Sequence, residues 1–149
     1  MSETSDEKTL AEAVDALADR FRAMPQSRLL GAVPGHPSRA AAGLALARRL
    51  AAAAQAAEAA RADGGADGGA DGKAGGGADG KAGGGPLREL PDAGAFAVGD
   101  QLAVVGHDLA AALAALPGDA AVALPDGPAT AEAVRADALR RLAETAAAV

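Results

Sequence analysis

The sequence predicts an all-α protein, a small bundle of about four helices interrupted by a disordered linker rich in glycine, alanine and aspartate. Large apolar residues recur at intervals of three and four, which is the spacing of one helix face. Alanine, which has the highest helix propensity, is the commonest residue. Glycine-rich residues 62–85 separate an N-terminal half, 1–61, from a C-terminal half, 86–149, and we expect the halves to pack as one domain.

The first helix is predicted near residues 6–23. Its apolar stripe consists of Leu10, Val14, Leu17, Phe21 and Met24. These spacings place all five side chains on one face, which we expect to be buried. Pro25 disfavours helical backbone at the residue before it, so the helix should end there.

The second helix is predicted from about Arg39 to Ala60. Residues 25–37 contain three prolines and two glycines and should form a loop. Ser38 follows this loop and is a suitable N-cap. The second half of this helix is nearly pure alanine, whose methyl group buries little area, so neighbouring elements have to come close.

The linker, residues 62–85, consists of six four-residue units, and glycine supplies 12 of its 24 residues. Ordering such a segment costs backbone entropy that no large side chain offsets, so we predict disorder. As a flexible coil it would span about 25 to 30 Å. Its aspartates are spaced by four or eight and no glutamate follows at the twelfth position, so a calcium loop is excluded.

The segment near residues 95–116 has two interpretations. A helix is favoured because Val98, Leu102, Val105 and Leu109 recur at intervals of four, three and four. The alternative is an α+β fold with a short hairpin near 95–105, because apolar residues also alternate on both sides of Gly99. In the helix, the glycines and alanines at 99, 103, 106 and 110 would form a stripe that lets another backbone approach closely.

The C-terminal residues predict one more helix. Residues 117–119 should end the third helix, and residues 121–124 are a candidate short strand. Thr130 should then cap a final helix whose apolar stripe includes Val134, Ala138 and Leu142.

Composition restricts the class of protein. The chain has no cysteine, which excludes disulfides, thiolate metal sites and a cysteine nucleophile. The N-terminus is acidic and polar, unlike a signal peptide, and the arginines at 48 and 49 interrupt the apolar stretch after Leu44 before it could span a bilayer. We therefore expect a cytoplasmic protein without a membrane segment.

One polar stripe of the predicted third helix is a candidate binding site. Its members are Asp100, Gln101, His107 and Asp108. About 10.5 Å of helix rise separates Asp100 from His107, which is too far for both to bind one metal ion directly. The alternative is that the stripe faces solvent or a neighbouring helix.

The arginine-rich stretch from residue 20 to residue 49 is a candidate anion site. It contains six arginines and no acid, although the whole chain has a formal net charge of −6. The candidate ligands of an anion are Arg28, His36, Ser38, Arg39, Arg48 and Arg49. A capped loop at 31–40 could offer free backbone N–H groups, but the lysine of the phosphate loop is missing. Alternatively, these arginines face the acidic C-terminal half inside the bundle.

These patterns predict a protein that is not an enzyme, because no catalytic constellation is present, and that needs neither metal nor cofactor. We expect it to act through protein–protein contact, including self-association, by way of its alanine and glycine stripes. The alternative is nucleic-acid or phosphate binding through residues 20–49, which the single aromatic residue there and the overall acidity disfavour.

Three runs carry a resemblance to known proteins. They are "MPQSRLL", "GLALARRLA" and "LPDAGAFAVGDQLAVVGHDL". In these runs the chain resembles short, alanine-rich actinobacterial proteins of unassigned function. This resemblance implies no activity and no site residue.

Overall fold

The computed structural model describes residues 2–69 and 90–149. The protein is mostly helical, with one short antiparallel hairpin. The elements in chain order are α1 (Ser2–Ala23), α2 (Gln26–Leu29), α3 (Arg39–Gly69), a single 3-10 turn (Ala95–Ala97), α4 (Val98–Ala114), β1 (Ala121–Leu124), β2 (Gly127–Thr130) and α5 (Ala131–Ala148).

Helix α4 lies at the centre of the bundle. It packs against α1 on one side and α3 on the other, while α5 contacts both α1 and α3, and β1 lies on α3. The described residues contribute to one apolar core. Its largest fully buried side chains are Leu10, Leu29, Leu50, Leu102, Leu109, Val14, Val98 and Val122. Burying a valine or leucine of this kind stabilises the folded state by about 1.5–3 kcal/mol before entropy is subtracted.

The apolar stripe of α1 is buried as predicted. All five of its predicted side chains belong to the core. The helix ends at Ala23, two residues before Pro25, which is also as predicted. It begins earlier than predicted, at Ser2.

Helix α3 begins where the sequence predicts and ends later. The Ser38 side chain accepts a hydrogen bond from the Ala41 N–H at 3.0 Å, which is the contact of an N-cap. The helix continues to Gly69, beyond its predicted end near Ala60 and into the predicted linker residues 62–69. Extending a helix that is already nucleated adds one hydrogen bond for each ordered residue. The remaining predicted linker residues, 70–85, lie outside the described residues.

The segment 98–114 is helical, and the alternative of a hairpin near 95–105 is wrong. The glycines favour close helix packing rather than a turn. A β-carbon added to Gly99 would lie 2.8 Å from the carbonyl oxygen of Ala18 on α1. Because both Gly99 and Gly106 are buried against α1, the glycine stripe is used within the chain.

The hairpin of this protein lies at residues 121–130. The strand proposed at 121–124 is present, and it pairs with β2 in the antiparallel register Ala121 to Thr130 and Leu124 to Gly127. Val122 is fully buried and anchors the hairpin to the core. The Thr130 hydroxyl accepts a hydrogen bond from Ala133 N–H at 3.1 Å, so the predicted cap of α5 is confirmed.

In the described part of the chain, every helix is either too short or too polar to cross a membrane.

Candidate functional site

The polar stripe of α4 forms separate contacts with α1 instead of one site. Asp100 Oδ1 accepts a hydrogen bond from Arg22 Nε at 2.8 Å. His107 Nε2 lies 2.8 Å from Asp15 Oδ1. Arg22 and Asp15 are seven residues apart on α1, which corresponds to about two helical turns. The stripe therefore contributes two separate polar links between α1 and α4.

Arg22 connects two carboxylates at the surface. Its Nη1 donates to Asp19 at 3.0 Å, in addition to the contact of Nε with Asp100. The hydrogen bond to Asp100 and then the one to Asp19 raise the pKa of the Arg22 guanidinium above its ordinary value. Such a pair orients side chains but contributes little to stability because the groups are solvated.

The other two members of the stripe have different surroundings. Gln101 Nε2 donates to the carbonyl oxygen of Pro91 at 2.9 Å and so holds the segment before the 3-10 turn against α4. Gln101 Oε1 is buried, and no described residue donates to it. Asp108 is exposed. Gln101 therefore has a structural role. The four residues of the stripe do not surround one ligand position.

The loop before α3 is a closed turn. Val33 and His36 exchange two backbone hydrogen bonds across Pro34 and Gly35. Gly35 has a φ of 86°, which is the backbone conformation that a type II turn requires at this position. Since Ser38 already accepts a backbone hydrogen bond of the first helical turn, the loop matches the capped-turn alternative.

Arg28 and Arg39 converge on the end of α5. Arg28 Nη2 and Arg39 Nε donate to the backbone oxygen of Val149 at 3.4 Å and 3.3 Å. Arg39 Nη1 also donates to the Arg28 carbonyl oxygen at 3.3 Å. Cations stabilise a helix C-terminus, where carbonyl groups lack helical partners. These two candidate anion ligands thus bind the chain's own backbone.

All six arginines of residues 20–49 donate hydrogen bonds to the C-terminal half. The acceptors are Ala146 O for Arg20, Asp100 for Arg22, Val149 O for Arg28 and Arg39, Leu90 O for Arg48 and Asp126 for Arg49. Four of these arginines donate to backbone carbonyl oxygens and two to aspartates, so they contact the C-terminal half across the bundle mostly through its backbone.

A polar groove between α3 and α5 gathers three of the predicted anion ligands. His36, Arg48 and Arg49 line it, together with Arg141 of α5. Its volume is about 590 Å³. Glu144 also lines the groove, and its carboxylate accepts a hydrogen bond from Arg140 at 3.1 Å. The groove is therefore the place where cationic side chains from both halves of the chain meet.

A smaller apolar cavity adjoins this groove. Its volume is about 100 Å³. Its apolar lining consists of Leu50, Ala52, Ala53, Leu124, Pro125, Val134 and Ala138. Asp126 and Asp137 also line it. Arg49 and Arg141 line both the cavity and the groove, so they stand at the boundary between them.

Two aspartates hold these boundary arginines. Arg49 Nη2 donates to Asp126 Oδ2, and Arg141 Nε donates to Asp137 Oδ2, each at 2.8 Å. Partial desolvation raises the pKa of the Asp137 carboxyl, but the hydrogen bond from Arg141 and the charges of Arg141 and Arg140 outweigh it. The net pKa of Asp137 lies below its ordinary value.

A second surface, with exposed apolar side chains, lies next to the first half of α3. Phe96 is 67% exposed and Leu30 is 53% exposed, although both are large apolar side chains. Beside them is a groove of about 470 Å³. The groove is lined by Leu30, Ser38, Ala40, Ala41, Leu44, Ala45, Arg48, Asp92, Gly94, Ala95 and Val98. We call Phe96, Leu30 and this groove the Phe96 surface.

In the described residues, no three histidine, aspartate or glutamate side chains are grouped as a metal site requires. No family model, no curated protein and no solved structure matches the chain. The functional proposals therefore depend on the geometry alone.

Two features of these surfaces are missing from the predictions made from sequence. Arg141 lies 92 residues after Arg49, and no local pattern links them. Phe96 had a detectable signal, because the chain has only two aromatic residues and Phe96 lies outside the helical core stripes. A lone phenylalanine between alanines just before a helix is a candidate for exposure.

Proposed function

We propose that this protein is a non-catalytic interaction module that self-associates through the Phe96 surface. The exposure of Phe96 carries the proposal. Aromatic side chains are enriched at the centres of protein interfaces, where they fill pockets on the partner. Leaving a phenylalanine in water forgoes about 1.5–3 kcal/mol of burial free energy.

The shape of the Phe96 surface supports a second copy as the partner. Phe96 follows Ala95, and Ala95 lines the groove, so the protruding ring and the apolar groove lie side by side. In a twofold dimer, the same patch of each copy faces the other. Phe96 of one copy can then enter the groove beside Leu30 of its partner, while the reciprocal contact forms at the same time.

The charges of the groove also support self-association. Arg48 and Asp92 both line it, so the patch carries one positive and one negative side chain. A twofold axis that passes between Arg48 and Asp92 brings each basic position towards the acidic position of the other copy, which favours this register over others.

The proposed dimer is weak. Two buried Phe96 side chains contribute about 3–6 kcal/mol, below the roughly 8 kcal/mol that a micromolar dissociation constant requires. We therefore place the dissociation constant between about 100 µM and 1 mM.

The proposed module carries out no reaction. The six arginines of residues 20–49 donate hydrogen bonds to the C-terminal half, which supports a structural use for them and gives no support to catalysis or to nucleic-acid binding. We assign the protein to the cytoplasm on the composition of the chain.

Sedimentation equilibrium from about 10 µM to about 1 mM tests self-association. The wild type should show a monomer–dimer equilibrium, and Phe96→Ala and Leu30→Ser should weaken it at least tenfold. The control is Val104→Ala, because Val104 is 61% exposed on α4 but does not line the groove.

Melting temperatures should be nearly equal for all four proteins when measured at low concentration. A wild type that remains monomeric throughout, or a Phe96→Ala variant that associates like the wild type, would contradict the proposal.

A further inference from the structure

The cleft between α3 and α5 combines a cavity that has an apolar floor with a rim of two arginine–aspartate ion pairs, and it opens to a larger groove lined by three arginines. The cavity has an apolar floor formed by Leu50, Val134 and Ala138. Arg49 and Arg141 stand at its edge, where it meets the larger polar groove. We infer that this cleft binds a small organic carboxylate, with its short branched aliphatic body in the cavity and its carboxylate against Arg49 and Arg141.

The two arginines are each held by one carboxylate at the boundary between the cavity and the groove. Each donates through one nitrogen to an aspartate, Arg49 to Asp126 and Arg141 to Asp137. A guanidinium group has five N–H donors in a rigid plane. Within the described part of the chain, neither arginine has a second acceptor, so each retains donors for a carboxylate.

The aspartates restrict the side chains without closing the site. A fixed guanidinium loses less conformational entropy when it binds an anion than a mobile one does. The side chains of Arg49 and Arg141 remain 43% and 30% exposed, so a ligand can reach them from the groove. Glu144 is the one acid lining that groove, and Arg140 already donates to it.

The volume of the cavity limits the size of the aliphatic group that can bind there. A dry cavity of about 150 Å³ accommodates benzene. The cavity here is smaller, about 100 Å³, so it suits a branched group of a few carbon atoms better than an aromatic ring. The chemistry therefore specifies a branched, short-chain monocarboxylate.

The experiment uses the full chain and the probe 3-methylbutanoate in ¹H–¹⁵N correlation spectra. We expect saturable shifts at the amides of Ala53, Val134 and Ala138. Three comparison compounds measure the contributions of the carboxylate and of the aliphatic body separately. 3-Methylbutanamide lacks the charge, acetate lacks the branched body, and inorganic phosphate is an anion without an aliphatic body. Each should bind at least tenfold more weakly than 3-methylbutanoate.

Two variants test the site independently. Ala53→Leu should fill the cavity and reduce the affinity for 3-methylbutanoate at least tenfold, while Arg49→Gln should reduce it by removing the charge. Arg20→Gln is the matched control, because Arg20 is another exposed arginine that donates to the C-terminal half. Phe96→Ala should bind the probe like the wild type, since this site does not depend on self-association.

Three results would overturn the inference. They are no saturable binding by the wild type, equal binding of the amide or of phosphate, and undiminished binding by a folded Ala53→Leu or Arg49→Gln variant. Circular dichroism of each variant establishes that it is folded.

Discussion

Gly106 of α4 lies directly against Val14 of α1, and a β-carbon added to the glycine would be 2.5 Å from Val14 Cγ1. Real β-carbons do not come so close to another carbon, so alanine at this position requires the two helices or the valine to move. At this contact the Val14 side chain of α1 occupies the space that a side chain on α4 would need.

Replacing Gly106 with alanine should therefore destabilise the protein. Overpacking costs about 1–3 kcal/mol, whereas the better helix propensity of alanine returns about 1 kcal/mol. Urea unfolding should show a lower midpoint with an unchanged slope. The double variant Val14→Ala/Gly106→Ala should be less destabilised than the sum of its single variants, and strict additivity would contradict the contact.

Gly35 should be sensitive for a different reason. A β-carbon there would meet nothing within 4 Å, but the residue has a φ of 86°. Gly35→Ala should cost about 1–2 kcal/mol through backbone strain alone. Gly35→Asn is the control, because asparagine tolerates this conformation better. Equal unfolding midpoints for the alanine and asparagine variants would argue against strain.

The cap of α5 gives a third prediction. Thr130→Ala removes the acceptor of the Ala133 N–H and should cost about 0.5–2 kcal/mol of unfolding free energy. Thr130→Ser keeps the oxygen and should lose much less. Thermal unfolding followed by circular dichroism measures both, and the cap has no energetic role if serine and alanine behave alike.

Stability should decrease in acid partly through Asp137. Its pKa is below the ordinary value, so the folded state binds this proton less readily than the unfolded state does. The contribution of Asp137 is therefore present above the unfolded pKa and is lost as the pH falls below about 4.

Carboxyl titration by NMR measures this shift directly. In Arg141→Met, the pKa of Asp137 should rise because its hydrogen bond and a neighbouring charge are both removed. An unchanged pKa would show that Arg141 does not cause the shift. Arg22→Met is the control, because Arg22 pairs with Asp19 and Asp100 and does not contribute to the pKa shift of Asp137.

The helices could be predicted because their signals are local. The stripe that begins at Leu10 repeats every three or four residues, and each side chain in it is buried. The strand β2 could not be recognised in this way, because its sequence is Gly127–Pro128–Ala129–Thr130. A proline lacks the N–H of a strand ladder and is tolerated here because a two-stranded sheet has only edge strands.

The surfaces were less predictable than the helices. The sequence identifies His36, Arg48 and Arg49 as cationic candidates, and they share one groove. Arg28 and Arg39 have the same chemistry but contact the end of α5, since the direction in which each side chain leaves its helix depends on packing between distant segments. No local pattern contains that information.

Six arginines of the first half of the chain donate hydrogen bonds to the second half. The two halves could therefore associate without being covalently joined. With a common apolar core and these contacts, two separate polypeptides covering 1–69 and 90–149 should recognise each other when mixed. The protein would then be a natural candidate for fragment complementation, in which the junction between the fragments accepts an inserted sequence.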